Sequence, residues 1–295
     1  MNRTASDSIS IAQDHSQFPD YLRHIPNPPK LLYCRGNVEL LRGPAIAVVG
    51  TRKMTSYGGQ AADAIVQELV RAGVVVVSGL ALGVDARAHA STLDAGGATI
   101  AVLGSGIDTI TPFNNERLGN RILEHNGLIV SEYPGTYPAD QWTFPKRNRI
   151  ISGISLGVIV IEADRESGSL ITARHALEQG RDVFAVPGNI FAASSAGTNH
   201  LIAQGARPVL TASDITQEYA ERGLIRTRTP AQLPTLNDPV ASAIFAILTH
   251  SGPQHVDALV RETKFDVARI SGTLSLLELR GMVISDGRGM WTAKK

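Results

Sequence analysis

The chain has 295 residues, enough for one large domain or two smaller domains with a sizeable apolar core. Its 28 basic and 27 acidic residues give a net charge of +1, which excludes a global basic field, so any anion site must be a local cluster. The single cysteine, Cys34, excludes an internal disulfide and fits a reducing compartment. With no pattern of a signal peptide and no apolar run of membrane-spanning length, we expect a cytoplasmic protein without a membrane partner.

The N-terminal region contains little periodic pattern. Residues 1–17 are polar and aperiodic, which predicts a disordered tail. Residues 18–36 begin with a proline-rich extended stretch and end in an apolar run at 31–34. We interpret that run as a candidate extra strand of the main sheet.

Short apolar strands then alternate with helices. We predict strands at 45–49, 74–78, 99–103, 128–130, 158–162, 183–186 and 208–210, and helices at 57–72, 84–95, 115–124, near 148–154, 170–179, near 199–204 and at 213–221. The strands are continuous in apolar character, which is typical of parallel strands buried on both faces. Residues 18–224 are therefore predicted to form an α/β domain with helices on both faces of a parallel sheet. Ligands of such sheets bind beyond the carboxyl ends of the strands.

A second module follows a polar, proline-containing linker at 225–238. The sequence pattern of residues 239–295 predicts three helices and a hairpin with its turn at Asp286-Gly287. This combination is typical of a winged-helix domain. The third helix carries Arg269 and Arg280, offset by Glu278. With so few cations, a protein-contact or regulatory role is as well supported as DNA binding.

The loop after the first predicted strand contains Gly50, Thr51, Arg52 and Lys53, just before the helix at 57–72. A helix N-terminus presents free N–H groups and the positive end of a dipole, which favours an anion. Arg52 and Lys53 stand where they could hold it. The alternative is a simple turn at Gly50 with a solvated basic pair, and this stretch alone does not decide between the two.

The loop after the second strand contains Ser78 and Gly79, followed by Asp85 and His89 one helical turn apart. One interpretation is a polar pair that lines the cleft. We favour the simpler one, in which Asp85 caps the helix and His89 hydrogen-bonds to it.

The stretch from Trp142 to Arg149 is a second candidate anion site, after the loop at Gly50 to Lys53. It contains Phe144, Lys146, Arg147, Asn148 and Arg149 at the start of a predicted helix. Cations oppose the dipole there, so an anion is expected. Aromatic side chains beside cations suit single-stranded nucleic acid. In the alternative, the aromatic residues are core and the arginines pair with Glu132 or Glu162; we expect at least one arginine to do so and still favour anion binding.

Two later loops complete the candidate pocket. Glu162 ends a strand, and Gly168, Ser169 and Thr172 open the next helix, where small residues suit a cap or a phosphate. Gly188 and Asn189 follow another strand. No paired carboxylates, nucleophile elbow, Walker lysine, metal-ligand spacing or complete dinucleotide fingerprint is present, so we predict no catalytic residue, no metal site and no cofactor.

Several motifs together resemble the DprA/Smf family of bacterial DNA-processing proteins. They are VVGTR (48–52), SGLALGVDARAH (78–89), SEYP (131–134), FPKRNRIISG (144–153), EADRESGSLITA (162–173) and VPGN (186–189). The resemblance implies an extended Rossmann-like fold, single-stranded DNA as ligand, a homodimer, and loading of RecA in natural transformation and recombination. It also implies that Arg52 and the 146–149 segment line the DNA pocket and that dimer and RecA contacts lie around 198–205.

Two departures and one alternative accompany the resemblance. Thr111 stands where the family often has tyrosine, so an aromatic contact is in question there, and the sequence begins near the Rossmann extension without the helical domain of many members. The alternative function is a nucleotide-handling hydrolase of the lysine-decarboxylase-like group. Its PGGxGTxxE motif is not matched by the stretches around Gly168 and Gly188.

Overall fold

The computed structural model describes residues 8–225, 238–250, 252–279, 281–287 and 289–293. The chain divides into two compact units, 1–228 and 229–295. Most of the predicted linker, 226–237, lies outside the described residues, so the boundaries at 224 and 239 stay predictions.

The first unit consists of nine strands and eight α-helices within residues 8–225. The strands are β1 (Ile9–Ala12), β2 (Leu31–Gly36), β3 (Ala45–Val49), β4 (Val75–Ser78), β5 (Thr99–Gly106), β6 (Leu128–Tyr133), β7 (Gly157–Val160), β8 (Asp182–Ala185) and β9 (Arg207–Pro208). The helices are α1 (Asp20–Arg23), α2 (Ser56–Arg71), α3 (Val84–Asp94), α4 (Glu116–Glu124), α5 (Thr143–Ile154), α6 (Ser169–Glu178), α7 (Ala196–Ala203) and α8 (Ser213–Glu221). The predicted alternation is confirmed.

The strands form one sheet in the order β1-β2-β6-β5-β4-β3-β7-β8-β9. Strands β3 to β9 pair in parallel, whereas β2 joins β6 and β1 joins β2 in antiparallel pairs. The apolar run at 31–34 is therefore an added strand, and the sheet is mostly rather than wholly parallel. The chain turns to opposite sides of β3, so the crevice beyond β3 and β7 is the topological switch point, where such folds bind ligands.

The expectation of a loose tail at 1–17 is wrong for the part of it that the structure describes, residues 8–17. Ile9–Ala12 form β1, in which Ile9 pairs with Cys34 and Ile11 with Leu32. Ile11 is buried in the main core. Of the two isoleucines in this strand only Ile11 is buried, so one core side chain and the pairing with β2 hold the edge strand, which sequence periodicity alone does not reveal.

The central strand β3 explains the continuous apolar pattern. Its residues alternate between two cores: Ala45, Ala47 and Val49 belong to one, and Ile46 and Val48 to the other. Helices cover both faces, so no residue of β3 faces solvent. The strand ends at a fixed point, and the loop that follows it is held at the switch point.

The second unit contains α9 (Pro239–His250), β10 (Gln254–His255), α10 (Val256–Thr263), α11 (Val267–Leu279), β11 (Val283–Ser285) and β12 (Met290–Ala293). The strands pair antiparallel in the order β10-β12-β11, and the helices pack around a core of their own. This arrangement confirms the predicted winged helix. Arg280 lies outside the described residues. Within the described ranges, none of the helices combines the length and apolarity needed to cross a bilayer.

Candidate nucleic-acid interface

A cleft of about 510 Å³ opens at the switch point, beyond the carboxyl ends of β3 and β7. It brings together three groups of predicted residues. They are Gly50, Thr51, Arg52 and Lys53 after β3, Phe144, Arg147 and Asn148 on α5, and Gly168, Ser169 and Thr172 at the start of α6. Asp85 of α3 also lines it.

The loop after β3 is fixed by its backbone. The Thr51 N–H donates to the Glu162 carbonyl at 2.7 Å, and the Val84 N–H donates to the Thr51 carbonyl at 3.2 Å. Gly50 has no space for a side chain, because a Cβ there would lie 2.6 Å from the Val84 side chain. The loop is therefore clamped on both sides, and it holds exposed Arg52 and Lys53 at the mouth of the cleft.

The side chain of Glu162 corrects the predicted anion site at the start of α2. The Glu162 carboxylate accepts from the Thr55 N–H at 2.9 Å and from the Thr55 hydroxyl at 2.7 Å, and it is buried. Gly58 leaves the space that this carboxylate occupies. The anion at this helix N-terminus is thus the protein's own, and Glu162 is neither part of the cleft surface nor poised as an acid.

A second helix N-terminus does face the cleft. Gly168, the residue before α6, makes no side-chain cap, and a Cβ on it would meet nothing within 4 Å. The hydroxyl oxygens of Ser167 and Ser169 lie 2.8 Å apart beside it. The positive end of the α6 dipole and small hydroxyl side chains therefore border open space in which a phosphate could lie.

Arg147 lies at the base of the cleft and is only 5% exposed. Its Nη1 donates to the carbonyls of Gly79, at 2.7 Å, and Val102. Burial lowers the pKa of Arg147 to about 10; nearby Asp85 opposes that shift and Arg52 adds to it. Arg147 is thus a fixed positive charge that ties α5 to the end of β4 and to the middle of β5.

Asp85 and His89 do not form the pair that we favoured. The Asp85 Oδ2 accepts from the Gly79 N–H at 3.1 Å. The His89 Nδ1 lies 2.8 Å from the Thr99 Oγ1, whose hydroxyl donates to the Val76 carbonyl. The favoured interpretation is wrong because Asp85 bonds to the loop that precedes its own helix, whereas His89 packs against β5.

Burial raises the pKa of the Asp85 carboxyl, and the charge of Arg147 and backbone N–H donors from Gly79, Ala81 and Gly50 oppose that rise. These contacts join the loops after β3 and β4. Asp85 therefore shapes the cleft from behind its surface, in addition to lining it.

The cations of α5 divide between two faces. Helix α5 begins at Thr143, five residues before the predicted start, so Phe144, Arg147 and Asn148 share the face that lines the cleft. Arg149 instead donates to Glu132 at 2.6 Å, and Lys146 lies 3.5 Å from the same carboxylate. The expected ion pair is confirmed, and Lys146 and Arg149 are not among the residues that line the cleft.

The remaining predicted pocket residues hold loops. The Ser78 hydroxyl donates to the Val48 carbonyl at 2.6 Å, and Gly79 packs against the Arg147 guanidinium. Gly188 exchanges two hydrogen bonds, each of 3.1 Å, with the Asn199 side chain, and the Asn189 side chain accepts from the Phe191 N–H. The described cleft is not lined by Ser78, Gly79, Gly188 or Asn189. It is not lined by Thr111 either, whose hydroxyl lies 2.9 Å from that of Ser105.

Several cleft residues were not predicted. They are Val49, Ala81, Gln141, Pro145, Ile151, Asp164, Ser167 and Ile171. Ser167 directly precedes Gly168 and Ser169, so the small residues at the start of α6 were a usable signal. Ile151 follows Phe144 and Arg147 at helical spacing, but that pattern is visible only once the start of α5 is known.

The fold and this cleft define a class: an α/β protein with a cationic, aromatic-lined cleft at the switch point of its sheet, followed by a winged helix. The family model described as "DNA recombination-mediator protein A" matches residues 10–220, and one described as "DprA winged helix domain" matches residues 227–287. The chain belongs to the DNA recombination-mediator protein A (DprA/Smf) family, as its motifs indicated.

Relatives and solved structures agree with this assignment. The DNA processing protein DprA of Bacillus subtilis is 45% identical over 216 residues, which are 73% of this chain and 72% of that protein. The X-ray structure of DprA from Streptococcus pneumoniae is 42% identical, covers 72% of this chain and 74% of its own, and has a TM-score of 0.68. A Helicobacter pylori structure, described as giving insights into the single-stranded DNA binding mode of DNA processing protein A, is 32% identical, with 74% and 97% coverage and a TM-score of 0.66.

Proposed function

We propose that this protein binds single-stranded DNA in the switch-point cleft and acts as a recombination mediator without catalysing a reaction. One observation carries the proposal: exposed Arg52 and Lys53 stand at the mouth of a cleft whose wall contains the aromatic ring of Phe144. Single-strand binding combines two elements: cations along the phosphate backbone of the nucleic acid, and an aromatic ring on which bases stack.

Each part of the cleft has a role in this proposal. Arg52 and Lys53 contact phosphates, and Phe144 stacks a base. The N-terminus of α6 at Gly168 and Ser169 receives a further phosphate, with Thr172 and Asn148 beside it. Buried Arg147 supplies a fixed positive field. Lys146 and Arg149, already joined to Glu132, contribute less than the sequence suggested.

The biological role is proposed from the family. Its description as a recombination mediator and the single-stranded DNA binding named for the H. pylori relative support single-strand binding in recombination. Loading of RecA is proposed from the resemblance of the motifs to the DprA/Smf family. We place this activity in the cytoplasm, in natural transformation and homologous recombination.

A homodimer is part of the proposal. Large apolar side chains are exposed before and after α7 in the chain: Ile190 is 79%, Phe191 is 92% and Leu210 is 78% exposed. Burial of these side chains against a second copy would remove apolar surface from water. Size-exclusion chromatography with light scattering tests this, with Phe191→Ser expected to yield monomers; a monomeric parent protein would contradict it.

The test of the function is a titration of labelled single-stranded oligonucleotides, with duplex of the same sequence as competitor and with RecA added in a second series. We expect single strands to bind, duplex to compete poorly because its bases are not free to stack, and RecA to assemble faster on the protein-bound strand. Absence of single-strand binding, or equal competition by duplex, would overturn the proposal.

The hydrolase alternative is tested with nucleoside monophosphates. Such an enzyme needs a carboxylate directed at its substrate, but both oxygens of Glu162 accept hydrogen bonds from Thr55, and an oxygen of Asp85 accepts from the Gly79 N–H. Asp164 is the exposed carboxylate that lines the cleft, and its Oδ1 accepts from the Glu166 N–H at 2.9 Å. We expect no released base, and its release would reverse the order of the two proposals.

A further inference from the structure

A second groove adjoins the cleft on the other side of the loop after β3. It lies between α3 and α4 and has a volume of about 470 Å³. Three of its nine lining residues are arginines, Arg87, Arg117 and Arg121, and none is acidic. The proposed function does not use this groove, and its charge requires an explanation.

The groove and the cleft share the loop that separates them. Thr51 to Lys53 line the cleft, and Met54, the next residue, lines the groove. Gly83 also lines the groove and packs directly against the backbone of Thr51 and Arg52, where it has no space for a side chain. A ligand that passes over Arg52 and Lys53 therefore reaches the groove without leaving the protein surface.

Among the three groove arginines, Arg117 is the one whose position does least to stabilise the fold. It is the second residue of α4, where a cation opposes the helix dipole. Arg87 and Arg121 have carboxylate partners, Asp63 and Asp94. Among the described residues, none forms a hydrogen bond or ion pair with the exposed guanidinium of Arg117. Such a cation lacks an anion, and a ligand can provide one.

An exposed aromatic side chain stands beside the groove. Phe113, next to the groove residue Asn114, is 81% exposed. A phenylalanine in water is unfavourable unless something covers it. Cations together with an exposed ring repeat the combination found in the cleft, and the ring favours a strand with unpaired bases over a duplex.

We propose that the α3/α4 groove is a second DNA-contact site, in which a single strand that leaves the cleft over Arg52 and Lys53 continues along Arg117 and stacks a base on Phe113. This inference rests on the proposed single-strand binding in the cleft. Arg87 and Arg121 keep their carboxylate partners and add to the positive field, since a guanidinium has donors enough for a carboxylate and a phosphate.

The groove predicts an effect that depends on oligonucleotide length. Thymidine oligonucleotides of about 5 and about 20 nucleotides bracket the span of one site and of two. Fluorescence anisotropy would compare the parent protein with Arg117→Ala, Phe113→Ala, Arg52→Ala and the control Arg71→Ala. Arg71 is also exposed but ends α2, about 22 Å along the helix from the cleft.

We expect Arg117→Ala and Phe113→Ala each to weaken binding of the long oligonucleotide by about fivefold or more and to leave the short one unchanged. Arg52→Ala should weaken both, and Arg71→Ala neither. If Arg117→Ala and Phe113→Ala bind the long oligonucleotide as tightly as the parent protein does, the proposed groove site is overturned, whereas the proposed binding in the cleft is unaffected. Failure of the parent protein to bind either oligonucleotide would instead overturn the proposed function.

Discussion

The Arg52 guanidinium lies over the ring of Phe144, with its central carbon 5.6 Å from the ring centroid. This contact joins the loop after β3 to helix α5 across the cleft. No hydrogen bond or ion pair to another described residue competes for the guanidinium. A cation held by a ring alone is positioned yet keeps its donors free, which is the condition for contacting phosphate.

The first prediction concerns Arg52→Ala. Loss of one phosphate contact should weaken single-strand binding irrespective of sequence and reduce the slope of log affinity against log salt by about 0.7. Titrations of a labelled oligonucleotide at several salt concentrations measure both quantities.

Arg174→Ala is the matched control, because Arg174 is an exposed arginine that does not line the cleft. It should keep the affinity and slope of the parent protein. An Arg52→Ala variant with unchanged slope would remove Arg52 from the interface.

The second prediction separates Arg149 from Arg52. Arg149 is largely buried in its ion pair with Glu132, so Arg149→Gln leaves a mostly buried carboxylate with only the longer Lys146 contact. We expect a loss of about 2 kcal/mol in the free energy of unfolding, because a partly buried pair is broken from one side. Urea denaturation measures it, and the salt slope of DNA binding should stay that of the parent protein. A variant that is as stable as the parent protein but has a reduced salt slope of DNA binding would show that Arg149 contacts DNA.

The third prediction concerns Glu162→Gln. An amide keeps the size of the carboxylate, but its nitrogen cannot accept from Thr55, and the negative charge at the start of α2 disappears. We expect a loss of about 1–2 kcal/mol in the free energy of unfolding. Glu221→Gln, at an exposed position on α8, is the control and should be neutral. Equal stability of both variants would show that the Thr55 contacts contribute nothing.

The α/β class and the location of the cleft were predictable from the sequence, for a physical reason. A parallel sheet buries both faces of its strands, so each strand appears as a continuous apolar run, and the carboxyl ends of those strands lie at one edge. Gly50 to Lys53 and Gly168 to Thr172 follow two such strands, and the cleft brings them together.

The partners of individual side chains were not predictable. Thr55 and Glu162 lie 107 residues apart, and no local pattern connects them. The separation of Arg147 from Arg149 depends on where α5 begins, and the Thr143 hydroxyl that donates to the Asp140 carbonyl fixes the first turn. A shift of five residues in a helix start changes which side chains share a face.

The last prediction concerns His89, which is fully buried. The Thr99 hydroxyl donates to Val76, so its oxygen accepts from the His89 Nδ1–H, and no described residue partners the Nε2 atom. Burial, with a smaller effect of the Arg147 charge, lowers the pKa of His89 to about 3. The folded state therefore resists a proton that the unfolded chain accepts near pH 6.5. The stabilisation is complete above about pH 6.5 and decreases as pH falls toward 3.

His89→Asn keeps a donor toward Thr99 and removes the titrating ring. Between about pH 6.5 and pH 5, the parent protein should lose about 2 kcal/mol of unfolding free energy that the variant does not lose. Urea denaturation across that range measures the difference, with His200→Asn, at an exposed position, as control. Asp85 acts in the opposite direction, since burial raises its pKa, but its contribution is common to all three proteins and cancels in the comparison. Identical pH dependence in the parent and His89→Asn would mean that the buried imidazole accepts its proton as readily as the unfolded chain does.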